Sequence, residues 1–235
     1  MSANQVSVVL VHGAWADGSS WAKVITPLVG GGIKVLAAPL PLTTFREDVA
    51  ALDRTLERAA GPVVLVAHAY AGAVIGATRN EKVRGLVYVA ALAPDEGETV
   101  ADVFYRAAPH PEAPTLAPDD HGLIYLPEAA FAAAFAQDAS AEEQTVLAAV
   151  QRPISPACIT LPMGRPLWKD RPSWFLVAGQ DRMIAPETQH FMAARMKARV
   201  QSLRVDHAPL VTAPTAVVDI ILDAARDVIG GQDQN

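Results

Sequence analysis

The chain has 235 residues, 51% of them apolar and 19% charged, with a formal net charge of -6. This suits one globular α/β domain with a sizeable core and excludes a disordered or solvating chain. The acidic balance, with no cluster of Lys and Arg, argues against a nucleic-acid partner, because neutralising phosphates needs such a cluster. Cys158 is the single cysteine, which leaves no intramolecular disulfide and no cysteine-based zinc site; it reads as a small core or lid residue. No run reaches the roughly 18 apolar residues of a membrane span. The opening MSANQVSVVLVHG has no basic segment leading into a long apolar stretch, so a cytoplasmic protein is expected.

In chain order, the runs SVVLV (7–11) and KVLAA (34–38) read as the first two strands. Thr44 and Glu47 then form a capping-box pattern ahead of Phe45, Val49, Leu52 and Leu56, whose spacing predicts a helix with one apolar face, closed by Gly61. The third strand VVLVA (63–67) runs into a turn of small residues and a helix start, and the fourth is GLVYVA (85–90). Residues 94–172 then exceed what an α/β connection needs and are expected to form a lid. Its first part, APHPEAPTLAPDDHG (108–122), is proline-rich and loop-like. A helical pattern follows from Pro127 with Phe131 and Phe135 a turn apart, and a second has a Ser140/Glu143 capping box before Val146, Leu147 and Val150.

The fifth strand is SWFLVA (173–178), followed by a helix from Pro186 to about Lys197 and a sixth strand VQSLRV (200–205). Pro214 opens a last helix with Val217, Ile221, Ala224 and Val228 on one face, and the tail GGQDQN (230–235) is expected to fray. Alternating strands and helices predict a mostly parallel sheet of about six strands with helices on both faces. Runs this apolar read as strands buried on both sides. The core is expected in residues 1–93 and 173–235, with 94–172 as the lid insertion.

Ligands of parallel α/β sheets gather at the carboxyl ends of the strands, and polar residues stand there. The first strand ends in His12-Gly13-Ala14-Trp15 and the third in Ala67-His68-Ala69-Tyr70-Ala71-Gly72. The fifth and sixth are followed by Gln180-Asp181-Arg182 and Asp206-His207-Ala208. The segments LVHGAWADGSSW (10–21), LVAHAYAGAVI (65–75), GLVYVAALAPDEGE (85–98), PSWFLVAGQDRMIAP (172–186) and DHAPLVTAP (206–214), in this order, resemble the α/β-hydrolase superfamily, in particular its compact bacterial esterase-like group. The likeness covers nearly the whole chain.

The resemblance implies an α/β-hydrolase fold and a Ser-His-Asp mechanism on small carboxylic esters or lactones. In that family the third-strand turn reads G-x-S-x-G and exposes the nucleophile above the sheet. Here the five positions read Ala67-His68-Ala69-Tyr70-Ala71, so the nucleophile position is Ala69. The resemblance makes His207 the general base and Asp181 the acid that orients it, with Asp95 as the competing acid, and the amides of Ala14 and Tyr70 the oxyanion donors. His12 and His68 are expected to brace turns. Phe104, Tyr105, Tyr125, Phe131, Phe135, Met163 and Trp168 are the aromatic and sulfur-bearing lid residues that either line a pocket or pack the lid. No cofactor and no metal is expected, and the partner is a small ester-like molecule, with no nucleic acid and no membrane.

Three functions stay open. The chain is an esterase whose serine has been replaced by alanine, and so impaired; or an enzyme that naturally lacks serine and uses His207 as a base in lyase or isomerase chemistry; or a non-catalytic ligand receptor.

Overall fold

The computed structural model describes residues 6–230; residues 1–5 and 231–235, and with them nearly all of the GGQDQN tail, lie outside the described residues. Six strands form one sheet: β1 (Ser7–Val11), β2 (Lys34–Ala38), β3 (Val63–His68), β4 (Val83–Val89), β5 (Ser173–Ala178) and β6 (Arg199–Leu203). Every pairing is parallel and the order is β2-β1-β3-β4-β5-β6. The expected α/β class is therefore observed. Helices α1 (Ala22–Gly30), α2 (Phe45–Glu57) and α3 (Ala71–Ala77) alternate with the first four strands. Between β4 and β5 lie α4 (Val100–Phe104), α5 (Glu128–Ala130) and α6 (Ala141–Val150). After β5 come α7 (Pro186–Arg195), α8 (Pro209–Thr212) and α9 (Pro214–Gly230). α1 packs on α9 and α2 on α3, the two pairs covering opposite faces as right-handed crossovers require.

β1, β3 and β5 are buried at every position, which is why their sequences carry no polar alternation. The expectation of two-sided burial fails for β2 and β6. Both are edge strands, and Lys34, Arg199 and Val200 are exposed. The bounds of three strands also differ from the sequence reading. β3 extends to His68; β4 begins at Val83, which pairs with Val63 across a register shift; and β6 starts at Arg199 and stops at Leu203, where the chain leaves the ladder to bond Gly179 and Gln180.

The helix ends refine further expectations. Thr44 caps α2 by accepting the Glu47 N–H at 3.2 Å, but the Glu47 carboxylate takes the hydroxyls of Thr43 and Thr44 and not the Thr44 N–H, so the box is half made. The Ser140/Glu143 box is complete in both directions. α6 nonetheless buries only Leu147, and Val146 is exposed. α7 ends at Arg195 and not at Lys197, because Lys197 takes a left-handed φ of 54° that turns the chain into β6. After α5 the helix widens at Phe131–Phe135, where the Ala136 N–H donates to the Phe131 carbonyl at 2.8 Å. On α9 the predicted face is buried: Val217, Ile221, Ala224 and Val228. One continuous apolar core runs from the sheet into the β4–β5 insertion.

Candidate active site

The strand order reverses between β1 and β3, and a crevice opens where the two exits diverge. Beyond β3 the chain turns sharply at Ala69, whose φ is 50°, and enters α3. The Ala69 carbonyl accepts the amides of Gly72 (3.1 Å) and Leu92 (2.9 Å), which fastens the turn to the end of β4. The position that must be glycine is Gly72: a Cβ there would stand 2.3 Å from the Leu92 carbonyl oxygen. Ala67 and Ala71, where the family pattern has glycines, are accommodated and fully buried. The turn after β1 lies directly against this one, since a Cβ on Gly13 would come within 2.9 Å of the Ala69 Cβ.

Ala14, Ala69, Tyr70 and His207 border one cavity of about 600 Å³, counting its mouth. Its remaining walls are mostly apolar and come from Trp15, Leu92, Met183, Ile184 and the insertion, which supplies Val100, Phe104, Tyr105, Leu116, Ile124, Ile154 and Ile159. Among the described residues, neither the Ala14 nor the Tyr70 amide has an acceptor within the protein.

His207 Nδ1 lies 2.8 Å from Asp181 Oδ2, with both side chains buried. Opposite a carboxylate acceptor, Nδ1 carries the proton and Nε2 keeps its lone pair. Asp181 Oδ1 accepts the amides of Met183 (2.7 Å) and Ile184 (2.8 Å), while Oδ2 also accepts Gln189 Nε2 at 2.7 Å. Gln189 is itself fixed, donating to the Ile184 carbonyl and accepting the Ala178 amide. A carboxylate with this many donors is held in one orientation despite its burial.

The two other buried histidines brace backbone. His12 Nε2 accepts the Leu40 amide at 3.0 Å, so Nδ1–H donates to the Gly13 carbonyl at 2.9 Å. His68 Nε2–H donates to the His207 carbonyl at 2.7 Å, and the two rings lie 4.8 Å apart. Burial pushes His12 down to about 4 and His68 to about 3, so both are neutral near pH 7.

The structure thus brings Ala69, His207, Asp181, Ala14 and Tyr70 together. Asp95 stands apart, paired with Lys169 and accepting the Glu96 amide at 2.6 Å in a half-buried turn. Of the aromatic and sulfur-bearing insertion residues, Phe104 and Tyr105 line the cavity. Phe131, Phe135, Met163 and Trp168 are buried packing residues, with Phe135 edge-on to His207 at 5.1 Å, and Tyr125 is exposed.

Sequence reading missed the supports of the site. Beneath Tyr70, its hydroxyl donates to Asp48 Oδ2 at 2.7 Å, and Asp48 Oδ1 accepts the Leu42 amide at 2.7 Å. Burial raises Asp48 above the usual carboxylate range and pushes the adjoining Cys158 thiol up to about 12. Asp206 accepts Thr212 Oγ1 at 2.6 Å and the amides of Ala208 and Asp138. Gln189 had one legible signal, its place in the first turn after Pro186; the Asp48 contact had none.

The alpha/beta hydrolase family profile matches residues 8–220. A carbendazim hydrolyzing esterase of Nocardioides sp. (strain SG-4G) is 29% identical over 116 residues, 43% of this chain, and the match spans 48% of that relative, about half its length. Among solved structures, polyneuridine aldehyde esterase superposes with a TM-score of 0.80 at 20% identity, over 93% of this chain and 98% of that one. A pyrethroid hydrolase from Sphingobium faniae JZ-2 superposes with a TM-score of 0.76 at 23% identity, over 94% and 98%. The profile match covers most of the chain, and the superpositions extend over 93–94% of it with the same fold. The chain belongs to the alpha/beta hydrolase family.

Proposed function

We propose that this is the site of a carboxylic ester or lactone hydrolase for small, neutral, apolar substrates, present in a form that lacks its nucleophile. The observation that carries the reading is Ala69 itself, on a left-handed turn in the wall of the cavity that His207 shares. A strained turn of this kind serves to aim a side chain above the sheet, and a methyl group makes no use of being aimed. The buried His207–Asp181 pair, with its donors complete, is the machinery such a side chain needs.

With serine at position 69, the hydroxyl oxygen would attack the ester carbonyl while His207 Nε2 takes its proton. The Ala14 and Tyr70 amides would hold the oxyanion, and His207 would pass the proton to the departing alcohol. Water, deprotonated by the same imidazole, would then release the acid. With Ala69 the substrate is bound and polarised but no acyl-enzyme forms, so turnover is strongly impaired. The apolar walls, whose ionisable side chains among the described residues are His207 and the phenols of Tyr70 and Tyr105, favour uncharged substrates. The names of the two esterases and the hydrolase similar to this chain agree with ester chemistry. The insertion, residues 94–172, acts as the lid that closes over the substrate.

The test is Ala69→Ser, assayed on p-nitrophenyl acetate and butyrate. Turnover should rise by about 10⁴- to 10⁶-fold, the scale of loss when a triad serine is removed, and His207→Ala in that background should abolish the gain. No gain, together with a native turnover that His207→Ala abolishes, would overturn the reading in favour of His207 acting directly as a base on the substrate.

A further inference from the structure

Trp15 follows the Ala14 amide directly and takes a left-handed φ of 57°, a conformation costly for a bulky residue. Something must hold it there. Its backbone N–H donates to the Arg152 carbonyl at 3.0 Å, and its indole Nε1–H donates to the Ile124 carbonyl at 2.9 Å. Both acceptors belong to the insertion, from two arms far apart in sequence. Those arms are tied to each other: Ile124 and Ile154 exchange amide–carbonyl bonds of 2.9 and 3.1 Å, and the Gln151 side-chain amide pairs with the Leu126 backbone in both directions. Ile124 and Ile154 also line the cavity, as does the buried Trp15 ring.

The residue next to a proposed oxyanion donor is thus pinned at two points to the segment that covers the substrate cavity. We propose that Trp15 is a positioning residue: it holds the Ala14 amide in its oxyanion-facing orientation only while the two arms of the insertion are docked, so that closure of the insertion completes the oxyanion hole. This rests on the reading of Ala14 and Tyr70 as the oxyanion donors. Tyr70 is anchored elsewhere, through its hydroxyl on Asp48 of α2, with the Cys158 thiol of the insertion beside them both, and not through either of the arms that hold Trp15. The bonds to Arg152 and Ile124 therefore act on one donor directly and not on the other.

That asymmetry supplies the test, which needs no turnover. Benzoate, a product-like carboxylate, is titrated into the protein as it stands, and the amide resonances of Ala14 and Tyr70 are followed by ¹H–¹⁵N correlation spectroscopy. Both should shift. In Trp15→Phe, which keeps a ring but removes the indole donor, the Ala14 shift at saturation should fall to less than half while the Tyr70 shift persists. Amide exchange at Ile124 and Ile154 should accelerate together with that loss. Gln151→Ala, which removes the side-chain tie between the arms, leaves the Ile124–Ile154 bonds and lies outside the cavity lining, should weaken the Ala14 response in the same selective way and decides the matter alone if Trp15→Phe does not fold. An Ala14 response equal to that of the parent in the folded variants overturns the coupling. Equal blunting of both amides reduces Trp15 to a general structural role and also overturns it. If neither amide responds in the parent, the oxyanion reading fails and the coupling with it.

Discussion

Three strand exits around the cavity pass through left-handed backbone at residues that are not glycine: Trp15 after β1, Ala69 after β3 and Ala90 after β4. For an L-residue this region costs roughly 1–2 kcal/mol, and glycine adopts it freely at the expense of about 0.5–1 kcal/mol of extra unfolded-state entropy. Ala69 bears that cost with only a methyl group in the wall of the cavity, so the balance at this position favours glycine. Ala69→Gly should raise the unfolding free energy by about 0.5–1 kcal/mol, read from the urea midpoint at unchanged slope, with no recovery of ester turnover. A loss of stability would mean that the methyl group's packing against Gly13 outweighs the backbone strain. Ala69→Ser carries the same backbone conformation and should leave stability within about 0.5 kcal/mol of the parent, which separates the chemistry of the hydroxyl from the mechanics of the turn.

The joint between α3 and the end of β4 depends on Gly72, where the helix backbone passes against the Leu92 carbonyl. A methyl group 2.3 Å from a backbone oxygen that already accompanies the turn's own bonds cannot be relieved by a rotamer change. Gly72→Ala should therefore cost about 3 kcal/mol or more, at or beyond the upper range for overpacking, as a lowered urea midpoint; Gly164→Ala, at a site with open space around it, is the control and should be nearly neutral. Elements of this kind were legible in the sequence where a local pattern determines them. β1, β3 and β5 are apolar throughout because helices cover both faces, and Ser140 and Glu143 satisfy each other within one turn. What escaped was set by tertiary placement: β2 and β6 are apolar enough to read as central yet lie at the edges, and the widened turn at Phe131–Phe135 answers to packing beside His207. The same division runs through the candidate site. Ala69, Asp181 and His207 were legible because their turns follow strands in a distinctive order. Gln189, Asp48 and the two hydrogen bonds of Trp15 reach across the fold and leave no local trace.

Across the whole molecule, the carboxyl edge of the sheet is built around histidines that must stay neutral, which couples global stability to pH. His12 and His68 are buried, with folded-state values pushed down to about 4 and about 3, chiefly by loss of solvation. In the unfolded chain each titrates near the ordinary value of 6.5. As the pH falls below 6.5 the unfolded state gains protons that the folded state cannot, so stability is fully present above 6.5 and is lost from there down to about 4 for His12 and about 3 for His68. Each histidine contributes a slope of at most about 1.4 kcal/mol per pH unit within that window. Asp48 and Asp206, both raised by burial, act with the opposite sign, because the folded protein takes up their protons at a higher pH than the unfolded chain does. Between pH 6.5 and 5 carboxyls of ordinary affinity are still ionised and add little, so the two histidines set the fall in stability, less what Asp48 and Asp206 offset. Urea unfolding at pH 7.5, 6.5, 5.5 and 5.0 should therefore show little change over the first step and a fall of about 1–3 kcal/mol per unit below it. His12→Gln, which keeps an amide able to face the Leu40 and Gly13 backbone, should reduce that slope by up to half. An unfolding free energy that stays flat from pH 6.5 to 5.0 in the parent and in His12→Gln alike would show that the histidines are protonated in the folded protein, and the bonds from His68 to His207 and from His12 to Leu40 would then need a different proton arrangement.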